Sequence, residues 1–286
     1  MENAAPSLVS IVIPCYNAGP ELNDAIASAL EQTHPAIEIV VVDDGSTRPE
    51  TLELLRNPQW PRTRIFHKEN GGPATARNLA ISHARGRYIL PLDADDHIDP
   101  TYVEKAVALM DAQEDIGIVY CKALKFGAEN GLWQLPAYTL REIVIDNVIF
   151  VTSLFRRDDW TRVGGFSESL RLGIEDYDFW VKIVALGRQV RQLDEALFHY
   201  RVGHVSRTTG FQQDRGAVVK TYADIFRNNL AFYGQHAEYL FEHRFGLYDE
   251  LLKYRARYGR VEQLFVRHPW IERLARFTYQ ILFRRR

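Results

Sequence analysis

Apolar residues along the first 124 positions come in short blocks, each closed by polar or turn-forming residues. The stretch "LVSIVIP" (8–14) is β-branched and apolar on both faces, which predicts a buried parallel strand ending in "PCYN". Positions 20–32 then set Leu22, Ile26, Ala29 and Leu30 on one side of a predicted helix. "IEIVVVDDGS" (37–46) repeats the strand pattern with acids and a glycine at its carboxyl end, and "TRIFHKE" (63–69) is a third strand candidate. "GGPATARNLAISHARG" (71–86) predicts a short helix opened by Gly-Pro and closed by Gly86. A fourth strand lies in "RYILPLDADD" (87–96), a helix follows over 100–113, and "IGIVYCKAL" (116–124) is the fifth strand. Strands alternating with helices predict βαβ units around a parallel sheet, and such sheets bind ligands beyond the carboxyl ends of their strands. "PCYN", "DDGS" and "DADD" would then face one crevice.

Past position 125 the pattern loosens. "KFGAENGLWQLPAY" (125–138) carries hairpin turn signals, and "NVIFVTSLFRR" (147–157) is a further apolar run. "GIEDYDFWVKIVALG" (173–187) predicts a loop running into a helix that buries Phe179, Ile183 and Leu186. "QVRQLDEALFHYRVGHVSRT" (189–208) predicts two short strands and a loop. From about 210 the chain reads as helical and rich in aromatics and Arg, so a domain is expected over 1–208 and a helical region over 209–286.

Chemistry concentrates at the strand ends. Asp93, Asp95 and Asp96 put three carboxylates in four positions, which is costly unless a positive charge joins them. Hard divalent cations prefer such oxygens and keep further positions for phosphate; a solvated capping turn is the alternative. Asp43 and Asp44 can accept hydrogen bonds from a base or a ribose, or can simply close a turn at Gly45. "NGGPATARN" (70–78) offers backbone N–H groups and Arg77 to an anion, or is a plain helix cap. Glu175 and Asp176 stand where a general base can project into a cleft, although acids are also favoured in any first helical turn. His204, near Arg201 and Arg207, is a candidate for metal or phosphate contact; His199 reads as a half-buried strand histidine.

Composition narrows the class. Hydrophobic content of 46% and charged content of 25% are those of an ordinary globular protein. Two cysteines, Cys15 and Cys121, argue against a disulfide framework. "MENAAPSLVS" lacks the pattern of a secretory signal, and no run approaches the roughly 18 apolar residues of a spanning helix, which predicts a cytoplasmic protein. The net charge of −2 divides unevenly: residues 251–286 hold ten Lys or Arg against two acids, a net +8, leaving −10 on the rest. An anionic partner surface is therefore expected, and nucleic acid is not, because the body is acidic and has no recognition motif.

In order, "VSIVIPCYNAG", "IEIVVVDDGST", "NGGPATARNLAISHARGRYILPLDADD", "VGGFSESLRLGIEDYDFW" and "FHYRVGHVS" resemble a family 2 glycosyltransferase over residues 8–206. The resemblance implies the GT-A fold, an α/β architecture with a Rossmann-like, mixed but mainly parallel sheet, flanking helices and here a C-terminal helical extension. It implies inverting transfer of a sugar from a nucleoside-diphosphate sugar, commonly a UDP-sugar, with Mn²⁺ or Mg²⁺, to a glycan or lipid-linked acceptor in polysaccharide biosynthesis. Pro14, Tyr16, Asn17 and Asp44 would line the nucleoside pocket, with Asp43 beside them and Arg77 near the base or diphosphate. Asp93 and Asp95 match the DxD element with Asp96 adjacent, and Asp95 is favoured on the metal. Asp176 matches the catalytic base, Glu175 would orient the acceptor or support the loop, and His204 would reach metal or diphosphate. Processive synthases of the family carry QxxRW and membrane spans; "QQDRG" (212–216) lacks the Trp, so addition of a single sugar is expected.

Within 261–286, Trp270, Ile271, Leu274, Phe277, Ile281 and Leu282 alternate with arginines near helical spacing. Such a helix can lie on the anionic inner face of the cytoplasmic membrane, or pack on its own domain or on a second subunit of a homo-oligomer. Two other activities remain: a nucleotidyltransferase, disfavoured because "PCYNAGPEL" has no basic residue, and a sugar-nucleotide-binding protein without turnover.

Overall fold

The structure is a computed structural model that describes residues 5–56, 60–171, 173–203, 214–271, 273 and 277. His204 and Arg207 lie outside the described residues, as does most of 272–286. The chain divides into two compact units, Met1–Gln235 and His236–Arg286.

The first unit is built on β1 (Val9–Cys15), β2 (Ile37–Asp43), β3 (Thr63–His67) and β4 (Tyr88–Pro91), all mutually parallel. Their apolar runs are buried because helices cover both faces; Val9, Ile11, Val12 and Ile13 are fully enclosed. Burial of each such side chain contributes about 1.5–3 kcal/mol. Between the strands lie α1 (Glu21–Leu30), α2 (Pro49–Arg56) and α3 (Pro73–His83), the last opened by Pro73 in its first turn. β5 (His97–Ile98) and α4 (Tyr102–Ala112) follow.

From here the sheet becomes mixed. β6 (Ile116–Gly127) turns back through β7 (Gly131–Leu132), with Gly127 and Gly131 at positive φ closing the hairpin. After α5 (Leu140–Ile145), β8 (Leu154–Arg156) inserts antiparallel between β4 and β6. Then come α6 (Arg157–Val163), α7 (Glu175–Ala185) and β9 (Gln189–Val202). The strand order is β3-β2-β1-β4-β8-β6-β9-β5, with β7 beside β6.

Two expectations need correction. The stretch 189–202 is one strand rather than two, paired parallel to β6; it bulges where Tyr120 faces Gln192 but Lys122 faces Ala196. The extra residues of that bulge carry the polar run that looked like a break. Gly86 does not close α3, which ends at His83. Its amide donates to Ser10 Oγ, and a Cβ there would come 2.6 Å from the Ser10 nitrogen, so the glycine permits close approach to β1. The apolar run 147–157, whose direction its sequence leaves open, supplies the antiparallel β8, which separates β4 from β6 and makes the sheet mixed.

The first unit continues past position 208 through α8 (Arg215–Asn228) and α9 (Leu230–Gln235). Asn228 and Asn229 donate to the buried Asp178 carboxylate of α7, and Tyr233 donates to the Tyr177 hydroxyl. The second unit contains α10 (Ala237–Arg267). Among the described residues no helix is long and apolar enough to cross a membrane.

Candidate active site

The carboxyl ends of β1, β2 and β4 converge on a cleft of about 670 Å³. Pro14, Tyr16, Asn17, Asp44, Asn70, Gly72 and the buried Arg77 line it, with the more exposed Asp93 and Asp95 at its rim. Three further cations line it: Arg48, Arg171 and Arg201. A second cleft, about 810 Å³, lies against the opposite face of α3 beside Trp160 and Glu168 and holds none of the strand-tip acids.

Each acid has a distinct role. Asp43 is turned inward: one oxygen accepts from the Ser46 amide at 2.9 Å and the other faces His67 Nδ1 at 3.1 Å. It closes the turn that Gly45 completes at φ 75° and does not line the cleft. Asp44 does line it, yet its carboxylate accepts from Lys68 Nζ at 2.6 Å and from the Gly71 and Gly72 amides. The "NGG" amides that sequence offers to an outside anion thus hold an internal one, and Asp44 shapes the loop. Asn17, at φ 52°, accepts from the Thr47 and Arg48 amides and fixes the β1 tip against the loop after β2.

Arg77 is the centre of the arrangement. It is 2% exposed, and its two terminal nitrogens donate at 2.6 Å to Asp93 on the rim and to Glu175 at the start of α7. Burial works against its charge, but the two carboxylates outweigh burial and hold the guanidinium above its ordinary pKa. Glu175 is equally enclosed, whereas Asp93 keeps a third of its side chain open to the cleft.

Asp95 lines the mouth, open to water on one side and crowded by protein on the other. Crowding first, and then Asp93, push its carboxyl up to about 6, against the lowering influence of Arg201. Asp96, expected among metal ligands, is buried and accepts from the Arg201 amide at 2.7 Å. Burial, then Asp95 and Asp93, raise its pKa well above the carboxylate range. It fastens the β4 tip to β9, as does Arg201 Nε on the Asp95 carbonyl. His199 is half-buried, stacked on His97 and paired with Asp99.

Asp176 follows Glu175 in the first turn of α7. Its oxygens accept from the Tyr177 amide at 2.9 Å and from Asn147 Nδ2 at 3.1 Å. Enclosure and the adjacent Glu175 push its carboxyl up to about 6, with Arg77 pulling the other way. The preceding Ile174 is held at φ 53°, a left-handed conformation that costs a β-branched residue on the order of 1–3 kcal/mol. That turn aims the two acids, one toward Arg77 and the other toward Asn147. Asn147, Arg48 and Arg171 went unread in the sequence, where no local pattern marks them.

Among the described residues no grouping of three or more His, Cys, Asp or Glu side chains suits a metal ion. Of the carboxylates that line the cleft, Asp44 is taken up by Lys68 and the loop amides, while Asp93, Asp95 and Glu21 offer hard oxygens; the raised pKa of Asp95 beside Asp93 is the behaviour of a pair that a divalent cation relieves.

The sequence profile of Glycosyl transferase family 2 matches residues 10–190, the stretch that carries every acid just described. The chain belongs to this family. Members are generally dependent on a divalent cation. The hyaluronan synthase of Pasteurella multocida is 30% identical over 236 residues, covering 79% of this chain and 24% of the synthase. The succinoglycan biosynthesis protein ExoO of Rhizobium meliloti is 32% identical over 70% of this chain and 62% of its own length. The chain thus spans about a quarter of the first of these relatives. Among solved structures, S. aureus TarS 1-349 in complex with UDP-GlcNAc superposes with a TM-score of 0.60 at 24% identity, over 71% of this chain and 60% of that one. The GT-A-like fold is therefore shared.

Proposed function

We propose that this family 2 chain is an inverting glycosyltransferase that moves one sugar from a nucleoside diphosphate, a UDP-sugar by preference, to a hydroxyl of a glycan or lipid-linked acceptor in cell-surface polysaccharide assembly. The observation that carries it is Arg77, buried between a carboxylate on the cleft rim and one beside Asp176. Through it the donor cleft and the α7 acids form a single ionic framework. The relatives' names and the nucleotide-sugar complex of TarS support donor and pathway.

In this reading Pro14, Tyr16 and Asn17 wall the nucleoside. Asp93 and Asp95 hold the divalent cation, Mn²⁺ or Mg²⁺, whose chemistry when bound is to neutralise the leaving diphosphate. Asp176 takes the acceptor hydroxyl proton as that oxygen attacks the anomeric carbon from the side opposite the diphosphate. The anomeric C–O bond breaks with its electron pair on the departing diphosphate, and Asn147 holds the base in orientation. Arg77 and Glu175 position these groups and keep the like charges apart.

Release of nucleoside diphosphate from a panel of sugar nucleotides, with Mn²⁺ and with EDTA, tests the activity. Asp176→Asn is expected to lower turnover by about 10²–10⁴-fold with donor affinity unchanged. Equal loss of donor binding and turnover would refute the base assignment, and absence of release from every donor would refute the transferase reading.

A further inference from the structure

No residue of α10 is buried, although the helix runs for 31 residues, roughly 46 Å. Leu247, Leu251, Tyr254, Tyr258, Val261 and Phe265 follow one another along it at alternating steps of four and three. The same ladder continues back through Arg244 to Leu240. A mean step of 3.5 residues lines up one seam on a helix, the spacing of a left-handed coiled coil, and the exposed Phe241, Phe245, Tyr248 and Leu252 flank that seam along the first half of the helix. Leu247, Leu251, Tyr254, Tyr258 and Val261 are between 41% and 55% exposed.

Charge along the helix is segregated. Its first half holds Glu238, Glu242, Asp249 and Glu250 against Arg244, and its second half holds Lys253, Arg255, Arg257, Arg260 and Arg267 against Glu262. We propose that α10 pairs with α10 of a second copy of this chain, running antiparallel and crossing near residues 252–253. In that register Leu251 meets the partner's Tyr254, Leu247 the partner's Tyr258 and Leu240 the partner's Phe265. Each of these three layers joins a leucine to an aromatic ring, which evens the spacing along the seam. Glu250 and Arg257, each one position before a seam residue, face each other twice across the two-fold axis. Arg244 meets the partner's Val261 next to the partner's Glu262. A parallel pair would instead stack Arg244 on itself, tyrosine on tyrosine, and acidic half on acidic half.

Sedimentation equilibrium of the full chain tests this, with circular dichroism confirming helix content. The wild type is expected to be a dimer at micromolar concentration and Leu251→Asp a monomer. Glu250→Arg and Arg257→Glu are each expected to raise the dimer dissociation constant about tenfold at low salt, and the double exchange to restore it. Restoration is specific to the antiparallel register, because a parallel pair sets Glu250 beside Arg255 and the exchange would leave two arginines together. A wild-type monomer overturns the proposal, including one that binds phosphatidylglycerol vesicles through a Leu251-dependent contact. So does a dimer that the double exchange fails to restore.

Discussion

Arg77 holds two carboxylates at 2.6 Å each, and removing it takes from the buried Glu175 the guanidinium that offsets its charge. Arg77→Met is therefore expected to cost about 3–5 kcal/mol in urea unfolding, and the added change Glu175→Gln to recover part of that loss. The α7 acids titrate as neighbours, with the Asp176 carboxyl near 6. A base works only when deprotonated, so turnover at saturating cation should fall as pH drops through about 6, and Asp176→Asn should flatten that limb. Asp95 and Asp96 act on stability in the opposite direction. Their folded pKa values lie above the unfolded 3.8, so from about pH 4 upward the unfolded chain sheds protons that the folded chain retains. Without cation, stability contributed by these groups falls as pH rises; a divalent cation offsets the exposed charge of Asp93 and Asp95. The melting temperature should accordingly rise more on adding Mn²⁺ at pH 8 than at pH 5.

At the scale of elements, the parallel strands were legible because burial on both faces leaves continuous apolar runs with polar ends. The acids of the cleft were legible for the same reason, since strand ends are where such sheets bind. Partnership across distance was not. Nothing near Arg77 announces Glu175, 98 positions away, and nothing near Asp176 announces Asn147. β8 hid because an apolar run does not reveal its neighbour or its direction, and β9 because a bulge mimics a break. Gly86 looked like a helix cap since that is where glycines commonly sit, whereas its function is room for the Ser10 backbone. Gly86→Ala should cost about 1–3 kcal/mol by forcing β1 and β4 apart, measurable as a lower urea midpoint with an unchanged slope.

For the molecule as a whole, the family match ends at residue 190 while the first compact unit runs to Gln235. The difference rests on Asp178. This carboxylate, fully enclosed, is paired with Lys182 at 2.6 Å, accepts from Ser167, and takes amide donors from Asn228 and Asn229. Two of those partners arrive from beyond the matched stretch, and they brace the same helix whose first turn presents Glu175 and Asp176. The end of the family's shared profile is thus not the end of the fold. A polypeptide shortened to the matched stretch would keep every acid assigned to chemistry and lose part of the brace that aims them.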